Sequence, residues 1–177
     1  LFHPVREVEV VELVPEVVAA ARTHFGAEAA GLFTDSRVRL IIADARNHLR
    51  GRPAPYDVLI GDLLVPWRDG EAALFTREHV ARARASLRPG GVFCQWLPMF
   101  QLSEVEARIL IRTFLSVFPQ ALVWRGDFTP DQPAIGLIGF VEPFRLDPDV
   151  VRRRLGELRP DPANPQLADP AGVWMNY

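Results

Sequence analysis

The apolar positions of the chain fall into short runs, and three of those runs close on an acidic residue. Val8, Val10 and Val11 form a β-branched run that ends at Glu12, and Pro15 follows at once. Proline suits the first turn of a helix, so the pattern predicts a strand and then a helix. Val17, Val18, Ala21 and Phe25 carry an apolar stripe at helical spacing, with Gly26 as the expected stop. After a loop around Thr34, Asp35 and Ser36, residues 38–43 make a second strand-length run, which ends at Asp44. A short helix is expected over 45–49. Gly51, Pro53 and Pro55 break it, and Val58, Leu59, Ile60 and Gly61 form a third buried strand that delivers Asp62.

Downstream, a loop over 64–70 leads to a helix expected over 76–87. Its Glu78 lies early and its Arg82, Arg84 and Arg88 late, a charge order that complements the helix dipole. Pro89, Gly90 and Gly91 are expected to end it before a fourth strand at 92–96. Ser103 with Glu106 is a capping-box signal for a helix carrying Ile109, Leu110, Phe114 and Val117. Residues 122–124 and 135–141 read as two neighbouring strands joined by a loop over 126–133. Asp147 and Pro148 open a last Arg-rich helix that runs to about Leu158, and 160–170 reads as a linker. Strands alternating with helices, and apolar throughout as if covered on both faces, predict an α/β fold with a doubly wound, mostly parallel sheet. Ligands of such sheets sit beyond the carboxyl ends of the strands. Glu12, Asp44 and Asp62 all fall there.

Composition narrows the partner. The chain has 177 residues, 49% hydrophobic and 24% charged, enough apolar side chain for a real core and no sign of a disordered tail. Twenty basic residues against 22 acidic ones give a net charge of -2, without the basic footprint that nucleic acid or an anionic membrane needs. A small molecule or a protein is the expected partner. Every basic residue counted is arginine, which reads as a genomic bias. One cysteine, Cys94, can form no internal disulfide, so a reducing, cytoplasmic setting is expected. The chain starts at Leu1 and ends on an apolar stretch after a proline-rich segment, which reads as a piece of a longer protein. No stretch of it reads as a membrane-length apolar run or as a basic-then-apolar leader. Any membrane segments of the parent are expected outside this piece.

The three acids carry the candidate chemistry. Glu12 can accept hydrogen bonds from two ribose hydroxyls, or merely cap the following helix. Asp44, acceptor-only when ionised, can receive an exocyclic adenine amine. Asp62 precedes a loop rather than a tight turn, so it can orient or deprotonate an attacking amine, whose free pKa is about 10.4. A turn acid tying down 64–70 is the alternative. His3, His24, His48 and His79 show no paired metal spacing and read as surface or packing residues, and no metal is expected. Cys94 lies in an apolar strand with no nearby histidine and reads as core. Trp67, Trp96 and Trp124 are pocket or core candidates. The run Arg152, Arg153, Arg154 reads as a solvated helix face.

The stretches Val10-Val11-Glu12-Leu13-Val14-Pro15, Asp35-Ser36-Arg37-Val38, Ala43-Asp44-Ala45-Arg46, Tyr56-Asp57-Val58-Leu59-Ile60-Gly61-Asp62 and Leu87-Arg88-Pro89-Gly90-Gly91-Val92-Phe93-Cys94-Gln95 occur in order. Together they resemble the polyamine aminopropyltransferase family, the spermidine synthases. Asp62-Leu63-Leu64-Val65-Pro66-Trp67, Gln95-Trp96-Leu97-Pro98 and Trp124-Arg125-Gly126-Asp127-Phe128 look most like the bacterial branch fused to a membrane region.

The resemblance implies a Rossmann-like fold of the S-adenosylmethionine-dependent methyltransferase type, here lacking its first strand and Gly-rich loop. That strand would lie between those of Val8 and Val58. Residues 1–159 would be a partial nucleotide-binding domain, and 160–177 a linker or the start of a further segment. Glu12, Asp44 and Ala45 would hold decarboxylated S-adenosylmethionine, the co-substrate. Asp62 would act on the amine acceptor, with Gln95 and Trp67 beside it. The family's second loop acid falls at Val65, with Asp69 as a substitute. A homodimer is a further expectation. An S-adenosylmethionine-dependent methyltransferase and a non-catalytic binding domain are the alternatives on the same fold.

Overall fold

The computed structural model describes residues 5–26, 29–51, 55–126, 131–145 and 147–157. His3, the linker and the segment 160–177 therefore lie outside the described residues. The chain divides between Arg52 and Pro53 into two units. The backbone pairing explains the division. The strands hydrogen-bond as two sheets, one of two strands and one of four.

In the first unit, β1 (Val8–Glu12) and β2 (Val38–Ile42) are parallel, with Glu12 opposite Ile42. The crossover between them holds α1 (Pro15–His24) and α2 (Ala30–Thr34). Pro15 stands at the start of α1, as expected. The five-residue α2 was not expected: no side chain caps it, and it has no apolar stripe long enough to read. After β2 comes α3 (Ala45–Gly51), whose Leu49 is buried.

The second unit begins with β3 (Tyr56–Gly61). A 3-10 turn at Glu71–Phe75 leads into α4 (Arg77–Ala85), and β4 (Leu87–Pro98) follows. Next come α5 (Glu104–Leu115), β5 (Ala121–Gly126), β6 (Ala134–Phe140) and α6 (Pro148–Glu157). The strand order is β3-β4-β6-β5, with β3 and β4 parallel and β6 antiparallel to both its neighbours.

β4 starts five residues earlier than the sequence suggests. Pro89, Gly90 and Gly91 do not break the strand but bulge from it: the pairing advances from Tyr56 to Val58 on β3 while β4 advances from Leu87 to Val92. Gly90, at φ 74°, supplies the left-handed turn of the bulge.

One face of this sheet is closed by apolar packing. Phe75, Val80, Ala83, Leu87, Phe93, Leu97, Phe114, Phe118 and Leu137 form its core. The rings of Phe93, Phe114 and Phe118 lie 5.2–6.0 Å apart, within the range of favourable aromatic pairs. α5 is held at its start by the expected box: Ser103 Oγ accepts from Glu106 N at 3.3 Å, and Glu106 Oε2 accepts from Ser103 N at 2.8 Å.

The opposite face differs from the expectation of strands covered on both sides. Val58 and Ile60, one step out of phase with the core residue Phe93, are 54% and 68% exposed. Among the described residues, β1 and β3 are each paired on one side only.

Candidate functional site

Each candidate acid stands where its strand ends. In the first unit, Glu12 closes β1, and Asp44 lies two residues beyond the end of β2. The two chain segments stay linked there, since Ala43 N donates to Glu12 O at 3.0 Å. The Glu12 carboxylate turns onto the chain before α1, where its Oε1 accepts from Val14 N at 2.8 Å. This is a turn contact to the residue before α1, and no side-chain hydrogen bond caps the helix itself. The contact engages one oxygen, and Oε2 has no partner among the described residues.

Asp44 is more fully engaged. Its Oδ1 accepts from Arg46 N at 2.8 Å and from Arg46 Nε at 3.3 Å, and its Oδ2 accepts from Arg46 Nη2 at 2.8 Å. Ala45 opens α3 between them. The Arg46 guanidinium holds the Asp44 carboxyl down at about 2, against the opposing push of burial. The same arrangement recurs at the other end of β2, where Asp35 accepts from Arg37 N, Nε and Nη2 at 2.6–2.9 Å. Asp-x-Arg is thus a local brace used twice in this unit.

In the second unit, Asp62 directly follows β3 and is exposed, and its Oδ1 accepts from Leu63 N at 2.7 Å. The loop beyond it is tied from a residue that the sequence reading passed over. Glu71 Oε2 accepts from Val65 N at 2.6 Å, and Glu71 Oε1 lies 3.7 Å from Arg68 Nη1. An acid six residues beyond a loop position lacking its own carboxylate was the available signal. The expected substitute, Asp69, is exposed, and so is Trp67, at 54%.

Gln95 behaves differently from the other candidates. It lies opposite Gly61 in the β3–β4 ladder and is 2% exposed. Its Nε2 donates to Asp62 O at 3.4 Å and to Trp96 O at 3.2 Å. Glu12, Asp44 and Ala45 thus belong to one unit, and Asp62, Trp67 and Gln95 to the other.

The remaining side chains fall as their surroundings dictate. Burial pushes the Cys94 thiol up to about 11, which suppresses the thiolate a nucleophile needs. His48 Nε2 lies 3.2 Å from Glu9 Oε2, a carboxylate that also meets Arg39 Nη1 at 3.1 Å, so His48 is a packing residue. Arg152 and Arg154 pair with Asp149 and Glu157 on an exposed face. Among the described residues, no group of three or more His, Cys, Asp or Glu side chains is placed to hold a metal ion. No described helix is long and apolar enough to cross a membrane.

Comparison with known proteins gives these features a context. The spermine/spermidine synthase domain matches residues 1–124. The polyamine aminopropyltransferase of Synechococcus sp. is 36% identical over 119 residues, which make up 66% of this chain and 38% of that protein. That of Korarchaeum cryptofilum is 28% identical over 156 residues, 88% of this chain and 48% of that protein. The chain thus spans less than half the length of these relatives.

Among solved structures, a spermidine synthase in complex with the transition state analogue AdoDATO superposes with a TM-score of 0.74. It is 24% identical and covers 85% of this chain and 53% of its own. Human methyltransferase-like protein 13 in complex with SAH gives a TM-score of 0.60 at 20% identity, over 81% of this chain and 66% of its own. The fold is the α/β fold that these two groups of proteins share.

Proposed function

Since this chain belongs to the spermine/spermidine synthase domain family, we propose that it forms part of an aminopropyltransferase acting on a small amine. The donor in this reading is decarboxylated S-adenosylmethionine. The amine nitrogen attacks the methylene carbon next to the sulfonium. The carbon–sulfur bond breaks with its electron pair going to sulfur, and methylthioadenosine leaves as a neutral thioether. The nitrogen, now carrying an extra proton, must release one. Since the donor is already activated by its positive sulfur, the protein's task is to align the partners and keep the attacking amine neutral.

The observation that carries the reading is the placement of Asp62: an exposed carboxylate at the carboxyl end of β3, with one oxygen fixed by Leu63 N and the other without a partner among the described residues. In this role Asp62 orients the amine and receives its proton. Glu12 accepts the ribose hydroxyls through Oε2, which its contact with Val14 N leaves open among the described residues. Asp44 and Ala45 flank the adenine. For Asp44 this requires sharing oxygens already bonded to Arg46, which each carboxylate oxygen's second lone pair allows. Trp67 offers an exposed aromatic face beside the amine. A cytoplasmic setting goes with this chemistry.

Two alternatives stand on the same fold: methyl transfer from S-adenosylmethionine, and a non-catalytic binding domain, which Val65 keeps open because it stands where the family has its second loop acid. One assay separates the three readings. The full-length protein is supplied with either donor and a panel of diamines, and the nucleoside product is identified. Methylthioadenosine supports aminopropyl transfer, and S-adenosylhomocysteine supports methyl transfer. Absence of both products from well-folded protein supports the non-catalytic alternative.

A further inference from the structure

We propose that Gln95 is a positioning residue that fixes Asp62 through its main chain, and that Gly61 is glycine to let it do so. The proposal rests on the aminopropyl reading for the role of Asp62, and on the geometry of β3 and β4 for the rest. Gln95 projects from β4 on the same face as Phe93 and Leu97, which are 2% and 1% exposed, and is itself 2% exposed. A carboxamide in such a layer loses its water. Its Nε2 regains two acceptors, Asp62 O and Trp96 O, whereas its Oε1 is buried with no donor among the described residues. A methionine or leucine would fill the same space without an unsatisfied acceptor. The amide is therefore a poor choice for packing, and what it yields is one bond within β4, to Trp96 O, and one from β4 to the carbonyl of Asp62.

Gly61 completes the device. A Cβ at this position would lie 2.4 Å from Gln95 Oε1, 2.8 Å from Cδ and 2.9 Å from Nε2, so the carboxamide lies flat against the Gly61 backbone. Gly61 is not among the glycines of positive φ, so contact rather than conformation requires it. Any side chain there would push the amide off the Asp62 carbonyl. Asp62 follows immediately, and its carboxylate is further fixed by Leu63 N. Gln95 thus acts one peptide away from the proposed proton acceptor.

The test uses the full-length protein and the variants Gln95→Met, which keeps length and removes the amide, and Gly61→Ala, which keeps the amide and displaces it. Melting, steady-state kinetics and amide hydrogen exchange at Leu63 are measured. The expected Gln95→Met protein melts at or above wild type and keeps its nucleotide KM. Its kcat falls by roughly 10- to 100-fold, as for a small misplacement of a reacting group, and its Leu63 amide exchanges faster. Gly61→Ala shows the same kinetic split. Unchanged exchange at Leu63 in Gln95→Met overturns the clamp whatever turnover does, and unchanged kcat beside faster exchange overturns its role in the reaction. Exchange needs no turnover, so wild-type protein that releases no methylthioadenosine would remove the aminopropyl reading while leaving the clamp to be decided at Leu63.

Discussion

The guanidinium of Arg46 grips both carboxylate oxygens of Asp44, with Nη2 2.8 Å from Oδ2 and Nε 3.3 Å from Oδ1. Because this contact favours the ionised acid, Asp44 lies below its ordinary value of 3.8, at about 2. A depressed folded pKa means stability that is present above the unfolded value and lost as pH falls through the folded one. Melting of the first unit is therefore expected to hold above pH 3.8 and to weaken as pH falls toward about 2. Asp35, lowered by Arg37 in the same way, adds to the loss. Thermal melts across that window should show a flatter acid limb in Arg46→Met than in wild type. The same variant tests the adenine role: if Asp44 receives the amine, removing its competitor leaves nucleoside affinity equal or higher.

Glu12 has one oxygen on Val14 N and one without a partner among the described residues. Glu12→Gln keeps an acceptor for that N–H and removes the charge. Titration of the full-length protein with methylthioadenosine should show affinity reduced by about tenfold, the scale of one charge-assisted hydrogen bond. The KM for the amine should change little. Equal weakening at both substrates would return Glu12 to a turn contact.

Ser103 and Glu106 satisfy each other's main-chain N–H groups at the start of α5, which delivers Phe114 to the core. Ser103→Ala removes one of these acceptors and should lower stability by about 1 kcal/mol, read as a lower denaturant midpoint with an unchanged slope. Kinetic constants should stay at wild-type values, because α5 contributes no candidate site residue.

Much of this arrangement is legible in the chain. An apolar run ending in an acid located Glu12, Asp44 and Asp62 at strand ends, because side chains at a strand's carboxyl end need no apolar partner. Ser103 with Glu106 marked its helix because both halves of the box are local. The bulge at Gly90 is not legible because Pro-Gly-Gly signals a break, and only the partner strand shows that pairing resumes. The α2 segment carries no cap or stripe to read.

For the site, the braces Asp35-x-Arg37 and Asp44-x-Arg46 show in the chain only as a repeated spacing, which does not by itself say that each arginine folds back on its acid. The buried direction of Gln95 follows from its phase with Phe93 and Leu97. Its contact with Gly61 depends on the β3–β4 register, which no local pattern encodes.

The central claim is that Asp62 takes the proton of an attacking amine. It is tested most directly by the kcat for methylthioadenosine release from decarboxylated S-adenosylmethionine and a diamine, in wild type and Asp62→Asn full-length protein. The asparagine keeps the shape and an acceptor for Leu63 N, so the fold and nucleotide affinity should persist. Loss of the base should lower kcat by about 10²–10⁴. An Asp62→Asn protein that releases methylthioadenosine at the wild-type rate would contradict the account.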